Sequence, residues 1–409
     1  MDIHILKSSV PNRQVQIEIT GSKSESNRLL LLKALYPEIA INNLSNSDDS
    51  ELMQKALASN ADVIDIHHAG TAMRFLTAYF SIREGSEITL TGSSRMKERP
   101  IGILVDALKQ LGADIQYLEN KGFPPLRIKG KKLTKSKVTL KANVSSQYIS
   151  ALLLIASRLD NGIELTLEGK ITSIPYIQMT LHLLGQLGIT TNFDNNIITV
   201  NPQTKDLKSQ TFIVESDWSS ASYYYSIVAL SGVGTELNLT SYKKDSLQGD
   251  SVLSELYKAF GVNTRHRKDS ISLKKEVEVK DKEVIDFDLR NAPDIAQTIA
   301  VTAFGLGLEC SLKGLHTLKI KETDRLVALK TELEKLGGKV TITDQSLHLS
   351  RSKSINDNVS VNTYNDHRMA MAFAPLGLKT TLQILDAEVV SKSYPQFWDD
   401  LISIGFKIK

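Results

Sequence analysis

The 409-residue chain has one cysteine, Cys310, so it cannot build an internal disulfide framework or a thiolate metal cage. No apolar run approaches ~18 residues, and no membrane span is expected. The opening MDIHILKSSV has no apolar run of signal-peptide length behind its lysine, which leads to the expectation of a cytoplasmic protein. A net charge of +3 is too small to imply a nucleic-acid or membrane surface. The basic residues lack an accompanying aromatic platform, which argues against an RNA or nucleotide ligand. Neither a P-loop nor a GxSxG nucleophile elbow occurs. No low-complexity linker interrupts the chain, so composition marks no domain boundary.

What remains is an ordinary globular composition, 41% hydrophobic and 23% charged, in a chain long enough for two domains. One pattern recurs along it: an apolar helical run, a Leu-Gly-like break, then a short alternating strand. Copies surround Gly112, Gly188, Gly261, Gly337 and Gly405, and ELMQKALASNADVIDI puts Asn60 in the glycine's place. Gly and Asn both accept the left-handed conformation just past a helix end, so one capping need accounts for all six. Spacings of roughly 50 to 77 residues exceed solenoid periods and point to a few larger βα units. Leu326, Leu329, Leu333 and Leu336 step by three and four, which predicts one buried helical stripe. VTLKA, GIELTLEG and TELNLTS read as strands.

Several helix starts carry hydroxyls and cations. In ITGSKSESNRLLLLKAL, Lys23, Ser24, Ser26 and Arg28 precede a leucine run, and Ser24 or Ser26 can cap the helix. GTAMRFLTAYF offers Gly70, Thr71 and Arg74, and NVSSQYISALLLIA offers Ser145, Ser146 and Gln147. Asp294 follows a proline in RNAPDIAQT. KIKETDRL supplies Lys321, Glu322 and Arg325, and YNDHRMAM supplies Asp366, His367 and Arg368. Arg99 precedes Pro100, and Lys392 comes shortly before the last helical run. Each alone reads equally well as a capped helix or a solvated charge. Together they suit a polyanionic small ligand. Carboxylates among such cations gain nothing from bound phosphate, so Asp294 and Glu322 suggest proton transfer. The plainer reading of Glu322 is a charge favoured by the helix dipole. His67 and His68 are adjacent and share no helical face, which disfavours a metal site. Cys310, in apolar LGLECSLKG, reads as a buried strand thiol.

GSKSESNR, AGTAMR, RMKERPIG, SSQ, SSASY, the Pro-Asp of Asp294, KETDRL and NDHRMAM occur here in order. That series closely resembles the 5-enolpyruvylshikimate-3-phosphate synthase family along essentially the whole chain. The resemblance implies an α/β fold: a two-domain inside-out α/β barrel, each domain three copies of a βαβαββ unit. One domain would span residues 21–214 and the other residues 1–20 and 215–409, with the active site in a cleft that closes on shikimate 3-phosphate. It implies transfer of the enolpyruvyl group of phosphoenolpyruvate to the 5-hydroxyl of shikimate 3-phosphate by addition and elimination, with release of phosphate. No metal or organic cofactor is implied, and a cytoplasmic monomer is the default.

By matching motif, Lys23, Gly70, Arg99, Gln147, Arg325, Arg368 and Lys392 would hold phosphoenolpyruvate. Lys23, Ser24, Arg28, Ser145, Ser146, Gln147, Ser173, Tyr176, Asp294, Thr317 and Lys321 would hold shikimate 3-phosphate. Asp294 would accept the hydroxyl proton, Glu322 would handle the methylene proton, and Lys23 and Lys392 would stabilise developing charge.

Three positions depart from the family pattern: His68 for Asn before Ala-Gly-Thr, Phe75 for Pro after AGTAMR, and Thr317 for Asn. A shifted AGTAMR helix would alter sensitivity to glyphosate, the family's inhibitor; an inhibition constant unchanged on Phe75→Pro would sink that expectation. The alternatives are the sister enzyme that transfers enolpyruvyl to UDP-N-acetylglucosamine, and a non-catalytic phosphometabolite binder of the same fold. Cys310 lies in an apolar segment rather than a mobile loop, which disfavours the first. Retention of Asp294 and Glu322 disfavours the second.

Overall fold

A computed structural model describes residues 1–11, 15–141, 145–169, 171–203, 207–279 and 284–409. The chain divides into two compact units, Met1–Gly21 with Glu215–Lys409, and Ser22–Val214.

Both units are built from one repeating plan. A strand, a helix and a parallel strand come first, then a second helix, then an antiparallel pair. In the Ser22–Val214 unit, Val63–Asp65 runs parallel to Glu87–Thr91, which pairs antiparallel with Leu126–Lys129, and that strand with Asp114–Tyr117. Lys137–Lys141, Ile163–Glu168, Ile197–Val200 and Thr191–Asp194 repeat the order. In the discontinuous unit, Val284–Asp288 is parallel to Glu309–Lys313, followed across the sheet by Ser346–Ser350 and Lys339–Ile342. The other two sheets recruit the N-terminal segment. Val15–Ile17 lies parallel to Glu236–Thr240, and Ile3–Leu6 is inserted between Leu382–Ile384 and Lys407–Ile408.

The sixth copy is shorter. Gln210–Ile213 is parallel to Ile39–Asn42, and this sheet has two strands among the described residues. Its missing antiparallel pair explains an expectation the structure overturns. Asn60 is not left-handed: the helix Asp48–Ala58 ends on an extended Ser59, and the chain runs directly into the first strand of the next sheet. A reversing cap is needed only where the following strand returns to its own sheet. Gly112, Gly188, Gly261, Gly337 and Gly405 all serve that purpose, with φ between 74° and 107°.

The first helix of each copy lies at the heart of its unit. Lys23–Leu35, Gly70–Ile82 and Ser146–Ala156 pack on one another, as do Trp218–Leu230, Ala296–Gly305 and His367–Phe373. They are buried on nearly every face rather than along one stripe, and the buried side chains include polar ones such as Glu25, Asn27, Arg28 and Arg368. Leu326, Leu329, Leu333 and Leu336, on a second helix, form the stripe expected of an outer element and are all buried.

Candidate functional site

In a parallel strand–helix–strand unit the helix N-terminus starts near the carboxyl end of the first strand, where ligands of open α/β sheets collect. Three central helices per unit therefore bring three sets of unpaired N–H groups to one end. The sequence motifs sit there: Lys23, Gly70 and Ser146 begin three central helices, Trp218 and Ser219 a fourth, and Asp294 and Arg368 lie at the starts of the remaining two.

In the Ser22–Val214 unit, Ser22 rather than Ser24 or Ser26 caps the Lys23 helix, its hydroxyl accepting from Glu25 N, while Ser26 Oγ accepts from Ser45 N. The cap thus falls one residue outside the charged run. Lys23 Nζ stands 3.6 Å from Asp49. Gln147 Nε2 donates to Thr71 Oγ1 at 3.2 Å and ties the Ser146 helix to the Gly70 helix, while Ser145 caps the former. Arg99 lies directly on Gly70, where an added Cβ would come within 2.6 Å of its Nη1. Its buried Nε has no hydrogen-bond partner among the described residues. Its approach is set by the short helix Ser94–Lys97, whose cap Ser93 shares a 2.8 Å hydrogen bond with His68 Nδ1. Ser173 adopts φ 54° immediately before the helix Ile174–Gln186, which also carries Tyr176.

Arg74 departs from expectation. Its guanidinium turns inward to the carbonyls of Gly70 and Pro100, at 3.2 and 2.8 Å, and braces the turn that carries Arg99. Arg28 is also buried. Nε donates to Thr180 Oγ1, Nη1 to the Ser24 carbonyl, and Nη2 to Ser150 Oγ and the Tyr176 carbonyl. Burial lowers its pKa to about 10, which still leaves it charged at neutral pH.

In the discontinuous unit, a single guanidinium organises the acids. Arg325, 2% exposed, donates through Nε to Asp366 at 2.6 Å, through Nη1 to Asp294 at 2.9 Å and through Nη2 to Glu322 at 2.8 Å. Lys321 Nζ and Arg368 Nη2 approach Asp294 at 3.3 and 3.5 Å. Burial alone would raise the Asp294 pKa, but Lys321, Arg368 and Arg325 together reverse this and hold it well below the usual carboxylate range. Burial likewise disfavours the Arg325 charge, and Asp366, Glu322 and Asp294 more than compensate. Asp366 also caps the His367 helix through Arg368 N at 2.9 Å. Lys392 Nζ donates to the carbonyl of Asn365, next to that cap, at 2.6 Å. Thr317 is buried on the turn His316–Ile320 that leads into Lys321, and its hydroxyl has no hydrogen-bond partner among the described residues.

Two acidic neighbours lay outside the residues picked from sequence. Asp49 offered only a helix-start pattern, and Asp250 offered no signal at all. Asp250 accepts from Ser219 Oγ, which in turn accepts from Arg368. Burial, then the nearby Asp294, push its carboxyl up to about 7. Cys310 is buried in the strand Glu309–Lys313 and burial raises its thiol to about 12, which suits a packing role. No group of three metal-ligating side chains and no helix long and apolar enough to cross a membrane occurs among the described residues.

A family model described as EPSP synthase (3-phosphoshikimate 1-carboxyvinyltransferase) matches residues 54–401. A 3-phosphoshikimate 1-carboxyvinyltransferase of Bacteroides fragilis is 47% identical over 408 residues, covering 98% of each chain. That of Haemophilus influenzae is 36% identical and covers 96% of each. Among solved structures, EPSP synthase from Acinetobacter baumannii aligns with a TM-score of 0.77 at 20% identity, covering 100% of this chain and 99% of that one. The enolpyruvyl transferase NikO from Streptomyces tendae aligns at 0.75 and 13% identity, covering 100% and 98%. At those identities the likeness establishes a shared enolpyruvyl transferase fold.

Proposed function

Because this chain belongs to the EPSP synthase (3-phosphoshikimate 1-carboxyvinyltransferase) family, we infer that it transfers the enolpyruvyl group of phosphoenolpyruvate to the 5-hydroxyl of shikimate 3-phosphate. Phosphate is released, and the product serves aromatic amino-acid biosynthesis through the shikimate pathway. The hydroxyl oxygen bonds to the central carbon of phosphoenolpyruvate as the methylene carbon gains a proton. Loss of that proton and of the phosphate restores the double bond. The observation that carries this reading is the shared guanidinium of Arg325, which puts Asp294 and Glu322 within hydrogen-bond reach of one group.

Asp294 takes the hydroxyl proton and Glu322 serves the methylene carbon. Lys321, Arg368 and Arg325, turned on Asp294, hold its carboxyl well below the usual carboxylate range and so weaken it as a base. Anionic substrate oxygens compete for those cations. Their arrival frees Asp294 from its partners and raises its basicity, so binding arms the base. Arg325, Arg368, Lys392, Lys23 and Arg99, with Gly70 and Gln147, receive phosphoenolpyruvate. Ser24, Arg28, Ser145, Ser146, Gln147, Ser173, Tyr176, Thr317 and Lys321 receive shikimate 3-phosphate alongside Lys23 and Asp294. The uncommitted Arg99 Nε and Thr317 hydroxyl support two of these assignments. We also propose a cytoplasmic monomer that takes small-molecule substrates and no nucleic acid; its single, buried cysteine suits a reducing compartment.

Phosphate release should require both substrates and fail with UDP-N-acetylglucosamine as acceptor. Asp294→Asn should lower kcat by about 10²–10⁴. Tight binding of shikimate 3-phosphate without turnover by the folded wild type would remove the catalytic claim.

A further inference from the structure

Arg28 is a buried cation that makes no carboxylate ion pair among the described residues. Four of its five N–H donors are occupied by Ser24, Ser150, Tyr176 and Thr180, which leaves one on Nη1. Those partners come from three helices. The fourth wall is a ring: Phe75, on the Gly70 helix and fully buried, lies with its centroid 5.4 Å from the guanidinium carbon. The Tyr176 ring stands 5.9 Å away. A desolvated guanidinium within about 6 Å of aromatic faces is stabilised by their quadrupoles and fixed in direction. Among the described residues the groups hydrogen-bonded to it are neutral and the Glu25 carboxylate acts on it through space, so the charge remains available to a ligand.

We propose that Phe75 is a positioning residue for shikimate 3-phosphate: its ring holds the Arg28 guanidinium so that the remaining Nη1 hydrogen meets the substrate's oxygens. The inference rests on the functional reading above, in which Arg28 receives that substrate. It places the consequence of Phe75 on one substrate. A role confined to the position of the Gly70 helix would instead be felt by phosphoenolpyruvate, through Gly70 and Arg99.

The test uses the full chain with phosphate release as readout, each KM measured at saturating co-substrate. Phe75→Leu removes the ring and should raise KM for shikimate 3-phosphate about 5- to 20-fold. Its KM for phosphoenolpyruvate should stay within about twofold, and Phe75→Tyr should restore the wild-type shikimate 3-phosphate value to within about twofold. Equal rises in both constants, a rise for phosphoenolpyruvate alone, or an unchanged Phe75→Leu enzyme would overturn the proposal. Should Phe75→Leu lose its melting transition, Phe75→Met keeps more volume without a ring and is held to the same outcomes. If wild type binds shikimate 3-phosphate calorimetrically but does not turn over, the catalytic reading fails, and the ratio of dissociation constants between Phe75→Leu and wild type decides this one. A wild type that does not bind it overturns both.

Discussion

Arg325 holds three acids in place with a side chain that is almost wholly buried. Asp366 beside it is fully buried, so removing the guanidinium leaves an uncompensated charge. Arg325→Met should cost about 3–5 kcal/mol of stability, seen as a lowered melting temperature, and abolish phosphate release. Asp250 gives a pH signature. Its carboxyl holds a proton up to about 7 in the fold, against an ordinary value of 3.8. Between those values the folded chain binds more protons than the unfolded one, so stability falls as pH rises across that window and is flat above it. Asp250→Asn cannot lose a proton and should escape the decline. Its melting temperature relative to wild type should therefore climb by several degrees from pH 4 to 7. Parallel melting curves for the two proteins would rule this out.

The helix-ending glycines share a conformation but not a neighbourhood. At Gly112 a methyl group would meet nothing within 4 Å, so Gly112→Ala carries only the left-handed penalty of about 1–2 kcal/mol. At Gly261 the same methyl would come within 2.1 Å of the Val277 carbonyl oxygen, a backbone atom that cannot step aside cheaply. Gly261→Ala should melt several degrees below Gly112→Ala by calorimetry. The five glycines were legible because a left-handed residue leaves a local mark on composition. Asn60 misled because whether a strand returns to its own sheet or opens the next is a tertiary fact. Arg74 and Arg28 show the same limit in the site. Spacing identifies a cation at a helix start, but which hydroxyls and carbonyls surround it depends on segments over 100 residues away in the case of Arg28. The acids at 294 and 322 were legible by motif, whereas Asp250 sits in GDSV with no pattern to betray it.

At the scale of the molecule, the two units differ in how the chain supplies them. Every strand of the Ser22–Val214 unit comes from one continuous segment, including the Ile39–Asn42 and Gln210–Ile213 pair. The other unit takes one strand of each of two sheets from the first 21 residues. A fragment of residues 22–214 should fold alone, by circular dichroism and a cooperative melt. Residues 215–409 should not fold without a peptide covering residues 1–21. Failure of that peptide to restore a cooperative transition would contradict this division. Ile3–Leu6 matters most, because it sits in the interior of its sheet with Ile3 and Ile5 buried. Its neighbour Lys407–Ile408 lies about 400 positions away, and His4 and Lys409 exchange backbone hydrogen bonds of 2.9 Å. During synthesis Ile3–Leu6 must therefore wait for partner strands made nearly 400 positions later, while the continuous unit encoded between them has had time to fold.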